Sequence, residues 1–493
     1  MSRRLTRRTF LGTAAALSWP LRSLAQTAAD AVAPADVIVI GGDPAALAAA
    51  YRLIRSAGLR VLLVHDTPPW RAAPAPPPTS VAALPPFARG HQVCFDSWRD
   101  LGNPGWGYAD VLPSFTRLET YELGASEFRG GDGPLSVSHC WDPHVLHRAF
   151  LQASVSGGFQ QDSRHDTNGP RSQSFATYYQ KTTRDDAPQT FEAALLVPAR
   201  AAGLREVTGV VSRIVVEQGR AVAVELTRGI VRETIRAERG VLVCADPVRA
   251  TQLLMLSGIG PADTLKTLGV PVVAERSGVG RNLQDHLQVA LRWQARGAAL
   301  DLPESTVTAG MFTVSLNASP PDLQMDYLDP RAAGGPLVGI DVVLVQPSSR
   351  GEVRLASARL DEAPVIAANA LSTEADLTAL VQGVRLARFI AASPQLDRLR
   401  GEEAADTAAA VPLPELQALV RRVATPRLHL AGTCAMGPAA TASAVVDATL
   451  AVHGLTGLRV AGAAVMPSVV NAPPAAAALM IGDRAAEFLL AGG

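Results

Sequence analysis

The most regular pattern of apolar and polar positions lies between Ala35 and Asp66, ADVIVIGGDPAALAAAYRLIRSAGLRVLLVHD. Val37 to Ile40 is a short apolar run rich in β-branched residues, which predicts a buried parallel strand. Gly41-Gly42 makes a turn, Pro44 suits the first turn of a helix, and Ala45 to Arg55 continues at helical spacing. Gly58 breaks the chain before a second apolar run, Val61 to Val64. A strand–helix–strand opening of this kind is the one that binds dinucleotides. Val241 to Cys244 has the same short apolar character and predicts another parallel strand, with Cys244 as a small buried hydrophobe.

The chemistry of this opening departs from the pattern of its fold. The fingerprint G-x-G-x-x-G falls on Gly41, Asp43 and Ala46. The second glycine lets a backbone approach a pyrophosphate, and Asp43 sets a carboxylate there instead. The second strand should end in an acid that accepts from ribose hydroxyls. His65 stands at that position, and Asp66 comes one residue late, which on a strand means the opposite face.

Upstream, Arg3, Arg4, Arg7 and Arg8 precede an apolar segment from Phe10 to Leu21, and Ser23-Leu24-Ala25 has the small residues of a cleavage site. The apolar part is too short to span a bilayer, so residues 1–25 read as a signal peptide. Thr6-Arg7-Arg8-Thr9-Phe10-Leu11 resembles a twin-arginine signal, which exports folded bacterial cargo; the alternative is an ordinary secretory signal. Residues 26–34 read as a linker.

With 493 residues, 48% of them hydrophobic, the chain can build a large core and two domains. Basic and acidic residues balance at 45 each; removing the five arginines before Ala25 leaves the mature chain at −5. No Lys/Arg-rich patch points to nucleic acid, and no later run is long enough for a transmembrane segment. Cys94, Cys140, Cys244 and Cys434 are too few for a disulfide framework. Residues 67–88 are dense in Pro and Ala and read as a surface loop.

Several long stretches follow in a fixed order: RGHQVCFDSWRDLGNPGWGYADVLPSF (89–115), GASEFRGGDGPLSV (124–137), QLLMLSGIGPADTLKTLGVPVV (252–273), GVGRNLQDHL (278–287), PSSRGEVRL (347–355), HLAGTCAMG (429–437) and VVDATLAVHGLTGLRVAGAAVMPSVV (445–470). In this order and spacing the chain resembles the glucose–methanol–choline (GMC) oxidoreductase family. The resemblance implies an α/β fold: a discontinuous FAD-binding, Rossmann-type domain plus an α+β substrate domain with a mostly antiparallel sheet. On that pattern residues 35–140, 205–290 and 429–493 form the FAD-binding-like domain, with its sheet near 37–64, 241–244 and 458–461. Residues 141–204 and 291–428 form the substrate domain, covered by a helix over Leu377 to Ile390. The implied cofactor is FAD and the implied substrate a small alcohol, oxidised by hydride transfer to the flavin.

Carried over position by position, the resemblance assigns cofactor contacts to Gly41, Gly42, Asp43, Ala46, His65, Val211, Gly462 and Ala463. Val211 keeps an apolar residue at an adenine-contact position, whereas Gly462 stands where the family has Asp. The flavin-covering loop falls on Pro77-Pro78, Thr79-Ser80 and Ala83, and prolines have no N–H with which to cradle an anion. The family's G-A-x-G-S-P-Q turn is here Asp246-Pro247-Val248-Arg249-Ala250-Thr251-Gln252.

His429 matches the catalytic histidine, a general base with a pKa near working pH; its other reading is a hydrogen bond within a tight turn. The family's partner position falls on Pro473, and Asn471, two residues away, is the candidate catalytic partner by a two-residue shift. His286, within Asn282 to His286, reads as structural, and Asp96 and Trp98 as packing. His139, Cys140, His144 and His147 are ligand-type residues close together, but a structural site needs four converging ligands, so no metal is assigned and the stretch reads as a polar loop.

Three functions follow as expectations. The first is an FAD-dependent alcohol oxidase or dehydrogenase, with a variant in which flavin is held differently, for example through Arg249. The second is an exported periplasmic protein that keeps the fold without the redox site, as a binding protein or a partner subunit of a complex. The third is a flavin-free acid–base lyase using His429. The departures fall on the flavin path while SGIGP and GRNLQDH are whole, which favours the second.

Overall fold

The computed structural model describes residues 32–56, 58–71, 85–139, 144–161, 166–169, 175–297, 307–315, 320–328, 337–408 and 412–492. The signal segment 1–25, Pro77, Pro78, Thr79, Ser80, Ala83 and Cys140 lie outside these residues.

The opening apolar runs form the strands Ala35–Ile40 and Val61–Asp66, joined by the helix Pro44–Ile54. The strands pair in parallel, and Ala35–Ile40 pairs in parallel on its other side with Val231–Val243. Arg205–Glu217 extends the sheet beyond Val61–Asp66, and Leu458–Val460 extends it beyond Val231–Val243. Three separated parts of the sequence thus share one parallel sheet. Gly41, at φ +132°, sits where an added Cβ would lie 2.1 Å from the Cys244 carbonyl oxygen, so glycine lets the two strand ends approach. The C-terminal helix Ala475–Ala491 packs on the first helix: a Cβ at Gly482 would lie 2.1 Å from the Ala45 oxygen. Arg52 pairs with the buried Asp483 carboxylate across that contact at 2.7 Å.

The strand at Val241 to Cys244 is the end of a longer one than the apolar run predicts. Its first half, residues 231–236, pairs antiparallel with Arg220–Arg228, which pairs with Arg205–Glu217. The alternation from Val231 to Ala237, with Ile235 and Ala237 buried and Arg232 and Arg236 exposed, is that of a strand wet on one face. Only the closing apolar residues enter the doubly covered sheet.

Among the described residues a second sheet has eight strands and is antiparallel except for one short parallel pairing, Gln160–Gln161 with Phe175–Tyr178. Its central order is Leu287–Ala295, Leu337–Leu344, Leu323–Leu328, Val307–Thr313, Phe175–Tyr178. One face buries Val289, Leu291, Met311, Met325 and Val342 beneath helices that include Val145–Ser156 and Glu374–Ala391. The latter contains the expected Leu377 to Ile390 and is capped by Thr373, whose hydroxyl accepts from the Asp376 N–H. The other face carries Gln324, Asp326 and Asp341, with Asp326 directly opposite Asp341. Two carboxylates side by side on neighbouring strands repel, so this face needs counter-charge. It has it: Arg427 pairs with Asp326, and Arg292 with Asp341 at 2.7 Å.

Candidate functional site

Gly41, Gly42 and Asp43 form the turn at the C-terminal edge of the parallel sheet, and Ala46 is buried in the helix that follows. Gly462, at φ +88°, closes the far side, where its Cβ would come 3.2 Å from that of Ala45, and Ala463 starts the next turn. His65 is the last residue but one of the second strand, its Nδ1 3.8 Å from a Cβ placed on Gly42. These positions converge, and the carboxyl end of a parallel sheet is where open α/β folds place ligands.

Several side chains at this edge of the sheet bond to one another. Asp66 is buried, and its carboxylate accepts from the Val211 N–H at 2.9 Å and from Arg249 Nε at 2.6 Å. Arg249 is fully buried. Its Nη1 donates to Gln252 Oε1 at 2.7 Å and its Nη2 to the Val211 carbonyl. Both backbone groups of Val211 are therefore taken by the Asp66–Arg249 pair. Trp70 donates from its indole nitrogen to Gln252 Oε1 at 3.2 Å and packs beside Val248, Leu283 and Val353. His65 turns to Glu206, with Nε2 2.7 Å from Oε1, and Arg200 holds the same carboxylate.

Two carboxylates face each other at the helix starts. Asp246 caps the helix Pro247–Leu256, accepting from the Val248 and Arg249 N–H groups at 3.0 and 3.1 Å. Arg71 lies between them, 2.9 Å from Asp246 and 3.8 Å from Asp43. Burial, then the Asp246 charge, push the Asp43 carboxyl up to about 7, against the pull of Arg71. A carboxyl raised in the folded state stabilises the fold fully below its unfolded value of 3.8, and that stability is lost as pH rises towards 7. Asp43→Asn, which removes the charge at nearly constant size, should match the parent near pH 4 and exceed it at pH 8. A shift of this size converts to at most about 4 kcal/mol, and with the side chain 28% exposed solvent screening reduces the expected gain to about 1–2 kcal/mol. Urea midpoints at the two pH values measure it; an equal difference at both would contradict the raised carboxyl.

His429 stands over the polar face of the second sheet. Its N–H donates to Asp285 Oδ1 at 2.7 Å, which fixes the turn, and burial pushes the Asp285 carboxyl up to about 6. Its Nδ1 lies 2.9 Å from Nδ1 of His286, and His286 Nε2 lies 3.0 Å from the Val470 carbonyl. Burial first, then the Arg427 charge, lower the His429 pKa to about 4, with Asp326 opposing. Asp326 also accepts from the Tyr179 hydroxyl at 2.8 Å and from Gln324 at 2.7 Å. His429 is thus a neutral imidazole at pH 7, suited to accept a hydrogen bond from a hydroxyl.

The GRNLQDH stretch explains its own integrity. Asn282 and Gln284 donate to the Pro467 carbonyl at 3.1 Å, Gln284 Oε1 accepts from the Val469 N–H, and Asp285 and His286 hold His429. One short segment ties the His429 turn to the 467–470 loop. Asn471 is buried elsewhere in that loop: its Oδ1 accepts from the His91 N–H at 2.7 Å and its Nδ2 donates to the Pro321 carbonyl at 3.1 Å. No bond to His429 occurs among the described residues. Asp96 accepts from the Tyr108 N–H and Trp98 donates to the Ser468 carbonyl, as packing residues.

The histidines near residue 140 serve other ends. His139 sits between Glu122 and the Tyr121 hydroxyl, His144 caps the helix Val145–Ser156, and His147 bonds Thr308. Among the described residues no group of three or more His, Cys, Asp or Glu could hold a metal ion, and no helix is long and apolar enough to cross a membrane.

Comparison with known proteins now decides the family. Models of the GMC oxidoreductase family match residues 79–288 and 347–482. The mitochondrial choline dehydrogenase of Mus musculus is 34% identical over 439 residues, covering 82% of this chain and 73% of its own. The chain belongs to the GMC oxidoreductase family. The oxygen-dependent choline dehydrogenase of Brucella suis biovar 1 is 33% identical, covering 82% of this chain and 79% of its own. Among solved structures, pyridoxine 4-oxidase from Mesorbium loti superposes with a TM-score of 0.81 at 25% identity, over 92% of this chain and 98% of the other. A formate oxidase superposes equally well at 20% identity, which speaks for the fold alone. The FAD-binding-type α/β layer and the antiparallel sheet are those of this family.

Within that family frame, sequence reasoning missed three features: the Asp66–Arg249 pair, the Trp70-Arg71 segment and the His286–His429 contact. A signal for the first was present. Asp66 and Arg249 are opposite charges in otherwise apolar or small surroundings, and a buried charge needs a partner.

Proposed function

We propose that this chain is an exported GMC oxidoreductase homologue that does not carry FAD and acts in the periplasm as a non-redox protein, alone or as a subunit of a complex. The observation that supports it is the Asp66–Arg249 pair, which occupies both backbone groups of Val211 at the adenine-contact position. The residues present do not fit the cofactor: an arginine fills the space of a family glycine, and Asp43 and Asp246 stand on the pyrophosphate path with Arg71 as their counter-ion. His429, half-buried beside this polar sheet face, is the group we assign to a small alcohol-type ligand, whose hydroxyl would donate its proton to the imidazole.

The second reading, an active FAD-dependent alcohol oxidoreductase with His429 as base, is favoured by the choline dehydrogenases at 33–34% identity. The full chain expressed in a bacterial host supplied with excess flavin separates the two. Protein recovered from the periplasm should be colourless and release no flavin on acid denaturation, and Arg7→Lys with Arg8→Lys should leave precursor in the cytoplasm. One flavin per chain, reduced on adding primary alcohols, would establish the second reading. Undiminished export of the double-lysine variant would mark an ordinary secretory signal.

A further inference from the structure

His286 and His429 meet through like atoms, Nδ1 to Nδ1 at 2.9 Å, with their rings at 84°. A hydrogen bond between two imidazole nitrogens needs one proton, so one ring donates and the other accepts. The direction is set at the far end of His286. Its Nε2 lies 3.0 Å from the Val470 carbonyl, which can only accept, so Nε2 carries a hydrogen. A neutral His286 then has a bare Nδ1, and the shared proton belongs to His429 Nδ1. The competing arrangement, a doubly protonated His286, would bury a cation in a residue 1% exposed, beside His429 and within reach of the Arg427 charge. Unpaired buried charge of that kind is disfavoured by several kcal/mol. Among the described residues no protein group bonds His429 Nε2.

We infer that His286 is the positioning residue for His429: it accepts the Nδ1–H of His429, is itself anchored to the Val470 carbonyl, and so holds His429 in the tautomer whose bare Nε2 is presented as a fixed hydrogen-bond acceptor. Free imidazole favours neither end strongly enough to guarantee this, and the partner supplies the selection. The ligand class follows: a hydroxyl or amine that donates is taken, and an ether or carbonyl offered at the same point meets lone pair with lone pair. The charged and titratable groups around His429 are Arg427, Asp326 and His286, with Asp285 on its backbone N–H. The inference concerns the same site as the proposed function but holds whether or not flavin binds.

Nitrogen-15 NMR of histidine-labelled full-length protein tests it, with His429 and His286 assigned through His429→Asn and His286→Gln. His429 should carry its proton on Nδ1 and His286 on Nε2. A proton on His429 Nε2, or on both its nitrogens, at pH 7 would overturn the inference. In His286→Leu, which removes the acceptor, the Nδ1–H preference should be lost, while His286→Gln, whose amide oxygen still accepts, should retain it. An unchanged tautomer in His286→Leu would overturn the positioning role; should that variant fail to fold, the parent spectrum alone decides.

Discussion

Arg249→Met should cost about 3–5 kcal/mol of stability, the penalty for leaving a buried carboxylate without its partner. Asp66 and Arg249 have side chains 1% and 0% exposed, so neither can be rescued by water. The double variant Asp66→Ala with Arg249→Met should cost less than Arg249→Met alone, because removing both charges removes the desolvation problem with them. The residual cost comes from Val211, whose N–H and carbonyl lose these two side-chain partners. A double-mutant cycle read from urea midpoints measures the coupling. Additive losses would show that the pair is not what seals the cleft.

Reopening the cleft should restore affinity for FAD. The required changes are Arg249→Gly and Asp66→Ala, which free Val211, with Asp43→Gly, which removes a carboxylate from the pyrophosphate path. At about 5 Å and an effective dielectric of ~20, a fully charged carboxylate there repels by roughly 3 kcal/mol, an upper bound near pH 7 because the Asp43 carboxyl is pushed up to about 7 and can take a proton instead. Arg71, 3.8 Å from Asp43, offsets part of it in the parent, and in the variant it stays paired with Asp246 at 2.9 Å. The combined effect, about 3–5 kcal/mol, corresponds to an affinity gain of roughly two to four orders of magnitude. Adding His65→Glu to supply a ribose acceptor would work against this: His65 Nε2 lies 2.7 Å from Glu206, and a second carboxylate there repels the first. Turnover is not expected from the reopened variant, since Pro473 stands at the family's second catalytic position.

Much of the fold was legible because it rests on local signals. The β-branched run Val37 to Ile40, the glycine pair and Pro44 each specify one element, and Gly41 is explained by the Cys244 carbonyl it faces. The long strand Val231–Val243 was legible only at its apolar end, because its first half pairs with a neighbour whose identity no local pattern reveals. At the site, the departures at Asp43, His65 and Asp246 could be read as losses. Their replacements could not. The Asp66–Arg249 pair joins residues 183 positions apart, and the His286–His429 pair joins residues 143 apart. Asp66 follows His65 on the strand, but what a buried carboxylate does there depends on which cation the tertiary fold brings to it. Asn471 shows the same limit. Its proximity to Pro473 in sequence suggested a rescue of the catalytic partner, whereas the fold uses its amide to join the His91 N–H and the Pro321 carbonyl.

The most direct test of the closed cleft is an equilibrium titration of the unmodified full-length protein with FAD, followed by calorimetry and by the flavin band near 450 nm (about where oxidised flavin absorbs as a property of the cofactor). The account predicts no saturable binding up to about 100 μM FAD, with the Asp43→Gly, Asp66→Ala, Arg249→Gly variant binding in the same cell. Saturation of the unmodified protein at one flavin per chain, with micromolar or tighter affinity, would contradict it.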